Sequence, residues 1–105
     1  MIKILDDLVE IIDDRKINYS DNSYVANLFS EGKEKILKKI GEEASEVVIA
    51  GMKENKKEII HECADLLFHN IILLRKFGIH PDQIFEELES RLGKSGILEK
   101  KNRNK

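Results

Sequence analysis

Pro81 is the only proline in the chain, and no stretch alternates apolar and polar residues for long enough to form a strand. Six glycines are the only other strong breakers, and Lys, Glu, Leu and Ile are abundant, so long helices are favoured. Ile4, Leu5, Leu8, Ile11 and Ile12 repeat at the spacing of one helical face. Asn18 to Ser23 is a polar loop, and a short helix carrying Tyr24, Val25, Leu28 and Phe29 follows. Ser23 or Asp21 caps that helix, and Gly32 lies past its end.

A long helix is expected from about Glu34 to Lys53, with Ile36, Leu37, Ile40, Ala44, Val47 and Val48 inward. Lys53-Glu54-Asn55-Lys56 makes a tight link to a second long helix, from about Lys57 to Phe77, which Gly78 stops. Pro81 opens a last helix with Ile84, Phe85, Leu88 and Leu92 inward. The expectation is an all-α helical bundle built on a central antiparallel helical hairpin and completed by dimerisation. One domain spans residues 1–92, and 93–105 form a loose basic tail.

Composition removes several function classes. Lys and Arg number 18 against 20 Asp and Glu, a net charge of −2, and aromatics are 6% with no Trp. Neither a basic footprint nor a stacking platform for nucleic acid is present. The longest apolar runs have four residues, so no membrane span is expected, and Asp6 and Asp7 spoil a secretory leader. A cytoplasmic protein is the expectation. Cys63 is single, which excludes an internal disulfide, and it is read as a small buried hydrophobe.

The chemistry lies in acids on the hairpin. Glu43/Glu46 and Glu62/Asp65 are both i, i+3 pairs, each on one helix face. For an antiparallel pair turning near residue 54, facing positions have numbers summing to about 108, as both Glu46/Glu62 and Glu43/Asp65 do. At about 100° per residue both pairs fall at the edge of their helix's apolar face. Any one of these acids alone is an ordinary solvated glutamate or aspartate; four converging beside a nearly all-apolar helix (Leu66 to Leu74) are not. Crowded, partly desolvated carboxylates either take up protons or bind a cation, and all-oxygen ligands suit Mg²⁺ or Mn²⁺.

Such an ion polarises a phosphoryl group and neutralises a pyrophosphate leaving group, with Glu42 or one of the four acids taking a proton from water. No phosphate-binding glycine loop is present, so cations must hold the phosphates, and Lys39 shares the acidic stripe. Lys33, Lys35 and Lys38 are alternatives. His69, one turn after Asp65, is a structural histidine or a hydrogen-bonding partner in the site; His61 and His80 have no such support.

Three blocks carry a resemblance: Ser23-Tyr24 with Ala26 and Leu28; Lys39-Ile40-Gly41-Glu42-Glu43-Ala44-Ser45-Glu46-Val47-Val48-Ile49-Ala50; and Glu62-Cys63-Ala64-Asp65-Leu66-Leu67-Phe68-His69. Together with Leu5 to Arg15, Arg91, Ser95-Gly96 and Glu99-Lys100, they resemble the phosphoribosyl-ATP pyrophosphatase family, within the MazG-like all-α nucleotide pyrophosphohydrolases. That resemblance implies Mg²⁺-dependent hydrolysis of phosphoribosyl-ATP to phosphoribosyl-AMP and pyrophosphate, the second step of histidine biosynthesis, by a homodimer. It implies Glu43, Glu46, Glu62 and Asp65 as metal ligands and Glu42 as ligand or base. Ser23, Tyr24 and Arg91 become substrate contacts beside Lys39 and His69. Asn70 departs from the aliphatic residue usual there, which bears on packing and the dimer seam. Two other classes stay open: a house-cleaning hydrolase of non-standard nucleoside triphosphates, and a non-enzymatic helical oligomerisation module.

Overall fold

The computed structural model describes residues 3–94, with side chains through residue 92. Within them are five helices and no strand: α1 Lys3–Ile17, α2 Tyr24–Glu31, α3 Lys33–Met52, α4 Lys56–Lys76 and α5 Pro81–Lys94. The residues that stop and start these helices are the ones local chemistry selects. Ser23 Oγ accepts the Ala26 N–H at 3.1 Å at the head of α2, and Asn55 Oδ1 accepts the Glu58 N–H at 3.1 Å at the head of α4. Gly78, at φ 70°, follows α4. His80 precedes α5, and its Nδ1 accepts the Asp82 N–H at 3.0 Å. Gly32 alone separates α2 from α3, at φ 96° and ψ 179°. The proposed tail and the Ser95-Gly96 and Glu99-Lys100 blocks lie outside the described residues.

α3 and α4 form the antiparallel hairpin, turning through Lys53 to Asn55, with Glu54 in the left-handed region at φ 56°. The core sits at the open end of that hairpin. Ile36 of α3 and Ile71 and Ile72 of α4 meet Leu5, Val9 and Ile12 of α1 and Val25 and Leu28 of α2. Arg75 locks this end: its Nε and Nη2 donate to Asp13 Oδ1 and Oδ2, both at 2.8 Å, and its Nη1 donates to the Ile79 carbonyl. Ile36 and Ile72 occupy facing positions, and the register runs from them toward the turn. It places Glu43 and Asp65 about two turns beyond the core, and Glu46 and Glu62 nearly a turn further.

The turn half of the hairpin buries Ala50 in its seam and leaves its outer faces bare. Val48 is 64% exposed, Ile60 70% and Met52 80%. Leu37 and Val48, expected inward, face outward, as do Ile84, Leu88 and Leu92 of α5; only Phe85 of that set packs against the core. Periodicity marks these faces as apolar, but no described element covers them. Cys63 is also exposed rather than buried, because it lies on a part of α4 that α1 and α2 do not reach.

Candidate active site

Glu43 and Glu46 project from α3 and Glu62 and Asp65 from α4, on the stretch of hairpin between core and turn. The Glu43 side chain is 14% exposed and that of Glu62 20%, whereas Asp65 and Glu42 are half open to water. Partial burial pushes the Glu62 carboxyl above its ordinary value; His61 opposes this, and the charges of Asp65, Glu46 and Glu43 push it further up. The repulsion of Glu62 by Glu46 and Glu43, though smaller than the effect of burial, acts across the helix seam, so the two pairs share one electrostatic neighbourhood.

A cation and a phenol join them. Lys39 Nζ lies 3.3 Å from Glu42 Oε1 and 3.6 Å from Glu43 Oε1, and these partners raise its pKa. Among the described residues Lys33, Lys35 and Lys38 make no such pair. Tyr24, at the start of α2, has its hydroxyl 2.7 Å from His69 Nε2. His69 Nδ1 is 2.7 Å from the Asp65 carbonyl oxygen, which can only accept, so Nδ1 carries the proton and Nε2 accepts from the Tyr24 hydroxyl. Partial burial raises the Tyr24 pKa; Lys39 counters it, and Glu43, Glu42 and Asp65 reinforce it. Three helices thus converge on one spot: α2 brings a hydroxyl, α3 a lysine and carboxylates, α4 a histidine and carboxylates.

A family model described as phosphoribosyl-ATP pyrophosphohydrolase matches residues 5–92. The chain belongs to that family. It is similar to the phosphoribosyl-ATP pyrophosphatase of Geotalea daltonii, 51% identical over 97% of this chain and 96% of the relative. The corresponding protein of Geobacter sulfurreducens is 50% identical over 96% and 94%, and that of Vesicomyosocius okutanii 46% over 99% of each. As a member of the phosphoribosyl-ATP pyrophosphohydrolase family the chain is a hydrolase. No described helix is long and apolar enough to cross a membrane.

The remaining sequence candidates separate. Ser23 spends its hydroxyl capping α2 beside Tyr24. Arg91 lies on α5 with Nε 3.6 Å from Glu87 Oε2. His61, given no role from the sequence, joins the cluster: its Nε2 is 3.4 Å from Asp65 Oδ2, and His61, Glu62 and Asp65 offer ligand atoms within 4.8 Å of one another. The i, i+4 spacing of His61 and Asp65 was the available signal. His80 also has partners, Asp6 at 3.6 Å and Asp82 at 3.3 Å, but these tie α1 to α5 away from the hairpin acids. Asn70 lines an apolar cavity of about 220 Å³ between α4 and α5, with Leu67, Ile71 and Ile84 among its walls.

Proposed function

We propose that this chain hydrolyses phosphoribosyl-ATP to phosphoribosyl-AMP and pyrophosphate, as the second step of histidine biosynthesis in the cytoplasm, using Mg²⁺ or Mn²⁺. One observation carries the metal reading: Glu62 and Asp65 on α4 already offer ligand oxygens within 4.8 Å of one another and of His61, and Glu43 and Glu46 on α3 occupy the facing positions of the hairpin. Glu43, Glu46, Glu62 and Asp65 would supply the all-oxygen donor set that a hard divalent ion takes, with Glu43 and Glu46 drawing in from α3 to the Glu62 and Asp65 oxygens. When bound, that ion supplies polarisation of the phosphoryl group and charge neutralisation of the departing pyrophosphate.

The residues of the chain do the rest. The oxygen of an attacking water becomes part of one phosphoryl product, and the anhydride oxygen leaves on the other. One water proton passes to a carboxylate, for which Glu42, half open and outside the four-acid set, is placed beside Glu43 and Glu46 on α3. Lys39, with its ammonium between Glu42 and Glu43, neutralises phosphate oxygens. His69 and Tyr24 form a relay that orients the phenol toward the substrate, with Ser23 holding the start of α2. Arg91 is a further substrate contact.

A second copy of the chain covers the bare apolar side chains. Val48, Met52 and Ile60 at the hairpin turn, and Ile84, Leu88 and Leu92 on α5, are a larger apolar display than a stable monomer presents to water. The deciding assay is pyrophosphate release from phosphoribosyl-ATP, dUTP and dCTP, with Mg²⁺ and with EDTA. Turnover of phosphoribosyl-ATP alone, abolished by EDTA and by Glu46→Ala, is expected. Turnover of dUTP alone would replace this substrate with a non-standard nucleotide.

A further inference from the structure

Phosphoribosyl-ATP carries phosphate at two ends, and the acidic cluster accounts for one. Beyond α2 from that cluster lies a cavity of about 210 Å³ whose walls include Arg15, Lys16 and Lys76 together with Tyr19, Phe29 and Ser30. No acidic side chain lines it. From these residues we infer that the cavity is a second subsite, which holds the phosphate monoester on the ribose at the far end of the substrate. This inference rests on the substrate reading of the acidic site above.

Position supports it first. Asp65 and Lys76 are eleven residues apart on α4, which is only about 20° of rotation and about 16 Å of rise. Both therefore stand on one stripe of α4, and side chains of α2 reach that stripe at both ends: Tyr24 bonds His69 at one, and Phe29 and Ser30 border the cavity with Lys76 at the other. A purine nucleoside joined to a second ribose is the kind of spacer that separates two phosphates by such a span.

Continuity supports it next. A wider cleft of about 500 Å³ shares Arg15 and Tyr19 with the cavity and extends through Ser20 and Asn22 to Ser23. The cleft ends at Ser23, which adjoins Tyr24, and the Tyr24 phenol feels the charges of Lys39, Glu43, Glu42 and Asp65, so the cleft reaches the residue next to the acidic cluster. Asp14 lines that wider cleft and pairs with Arg15, and Asp21 and Glu31 act on Tyr19. Asp14 thus neutralises Arg15, and Lys16 and Lys76 are the cations of the cavity that no described acid pairs with.

The donors suit an ester dianion. Lys16 Nζ donates to the Arg75 carbonyl at 2.9 Å and rests 5.8 Å from the centroid of the Phe29 ring, which fixes its ammonium and leaves further N–H groups to donate. Lys76 makes no ion pair or side-chain hydrogen bond among the described residues. The helix macrodipole favours cations at the ends of α1 and α4 without any ligand. It does not require three of them to line one cavity with a hydroxyl and two aromatic rings.

The test uses Lys76→Ala in the full chain; no described residue bonds to that side chain, so no bond of the fold is lost, and circular dichroism checks that the variant is folded. The expected result is a KM for phosphoribosyl-ATP raised about tenfold, with kcat within about twofold. Ribose 5-phosphate, a competitive inhibitor of the wild-type protein, loses potency against the variant, and inhibition by ATP does not change. An unchanged KM and an unchanged ribose 5-phosphate inhibition constant overturn the inference. Ribose 5-phosphate inhibition that does not compete with substrate overturns it too, because the cavity then serves a separate phosphorylated effector. Wild-type protein inactive on phosphoribosyl-ATP refutes the substrate reading instead. NMR titration with ribose 5-phosphate then judges the cavity directly: binding weakened by Lys76→Ala upholds a phosphate-ester subsite, and equal affinity removes it.

Discussion

The Tyr24 hydroxyl donates to His69 Nε2 across 2.7 Å, joining two residues 45 positions apart and fixing the start of α2 against the acidic stripe of α4. The other nitrogen of the same ring donates to the Asp65 carbonyl, so the imidazole is held at both ends in one tautomer.

Tyr24→Phe keeps the edge-to-face packing of the two rings, whose centroids are 5.6 Å apart, and removes only the hydroxyl. His69 is buried, so its Nε2 loses its partner where water does not easily replace it. A loss of about 1–2 kcal/mol in urea unfolding is expected. Pyrophosphate release falls as well, because the phenol faces Lys39 and the carboxylates.

Glu62 gives a pH signature in the metal-free protein. Its folded pKa lies above the ordinary value of 4.5, so the folded chain holds this proton more tightly than the unfolded chain. In EDTA, stability therefore falls as pH rises from 4.5 through the folded value, and it recovers on acidification through that window. Glu62→Gln removes this part of the slope and raises the urea midpoint at neutral pH. Unfolding curves of both proteins from pH 4 upward are the check.

Magnesium is expected to reverse that penalty. At a concentration about 100 times its Kd, a ligand bound only by the folded state adds about 2.7 kcal/mol. Wild-type protein is expected to melt higher with Mg²⁺ than with EDTA. Glu46→Gln melts alike in both and loses at least about 100-fold in turnover, since a carboxylate donor is gone. Differential scanning calorimetry with and without the metal measures the first effect.

Arg75→Lys probes the lock at the open end of the hairpin. Lysine cannot reproduce the two parallel bonds to Asp13 or the bond to the Ile79 carbonyl. A cost of about 2 kcal/mol is expected, in the range of hydrogen bonds to charged groups. Thermal unfolding reads it.

Leu88→Glu tests the second copy. A carboxylate in the middle of the apolar row of α5 opposes burial there, and sedimentation at micromolar concentration is expected to give a monomer where wild type gives a dimer.

The sequence carried whatever is set within a few residues. Ser23, Gly32, Asn55, Gly78 and Pro81 mark helix ends by their own chemistry, so the elements fall within a residue or two of expectation. The facing of Glu43/Glu46 with Glu62/Asp65 was also legible, because a short turn leaves little freedom in register. Coverage was not legible. Leu37, Val48, Ile84, Leu88, Leu92 and Cys63 lie on faces whose neighbours depend on how separate helices dock. The Tyr24–His69 bond is of that kind too, since nothing near either residue specifies the other. His61 was missed although its spacing to Asp65 was in plain view.

Gly32, the single residue between α2 and α3, holds φ 96° and ψ 179°, a backbone state that is essentially closed to side-chain-bearing residues. The two helices are consequently hinged at a point, with no length of chain between them to absorb slack. With the roles proposed above, a molecule that tugs on the phenol of Tyr24 moves the shaft bearing Lys39 and Glu43 in step, so gripping the substrate and aligning the groups that cut it become a single mechanical event.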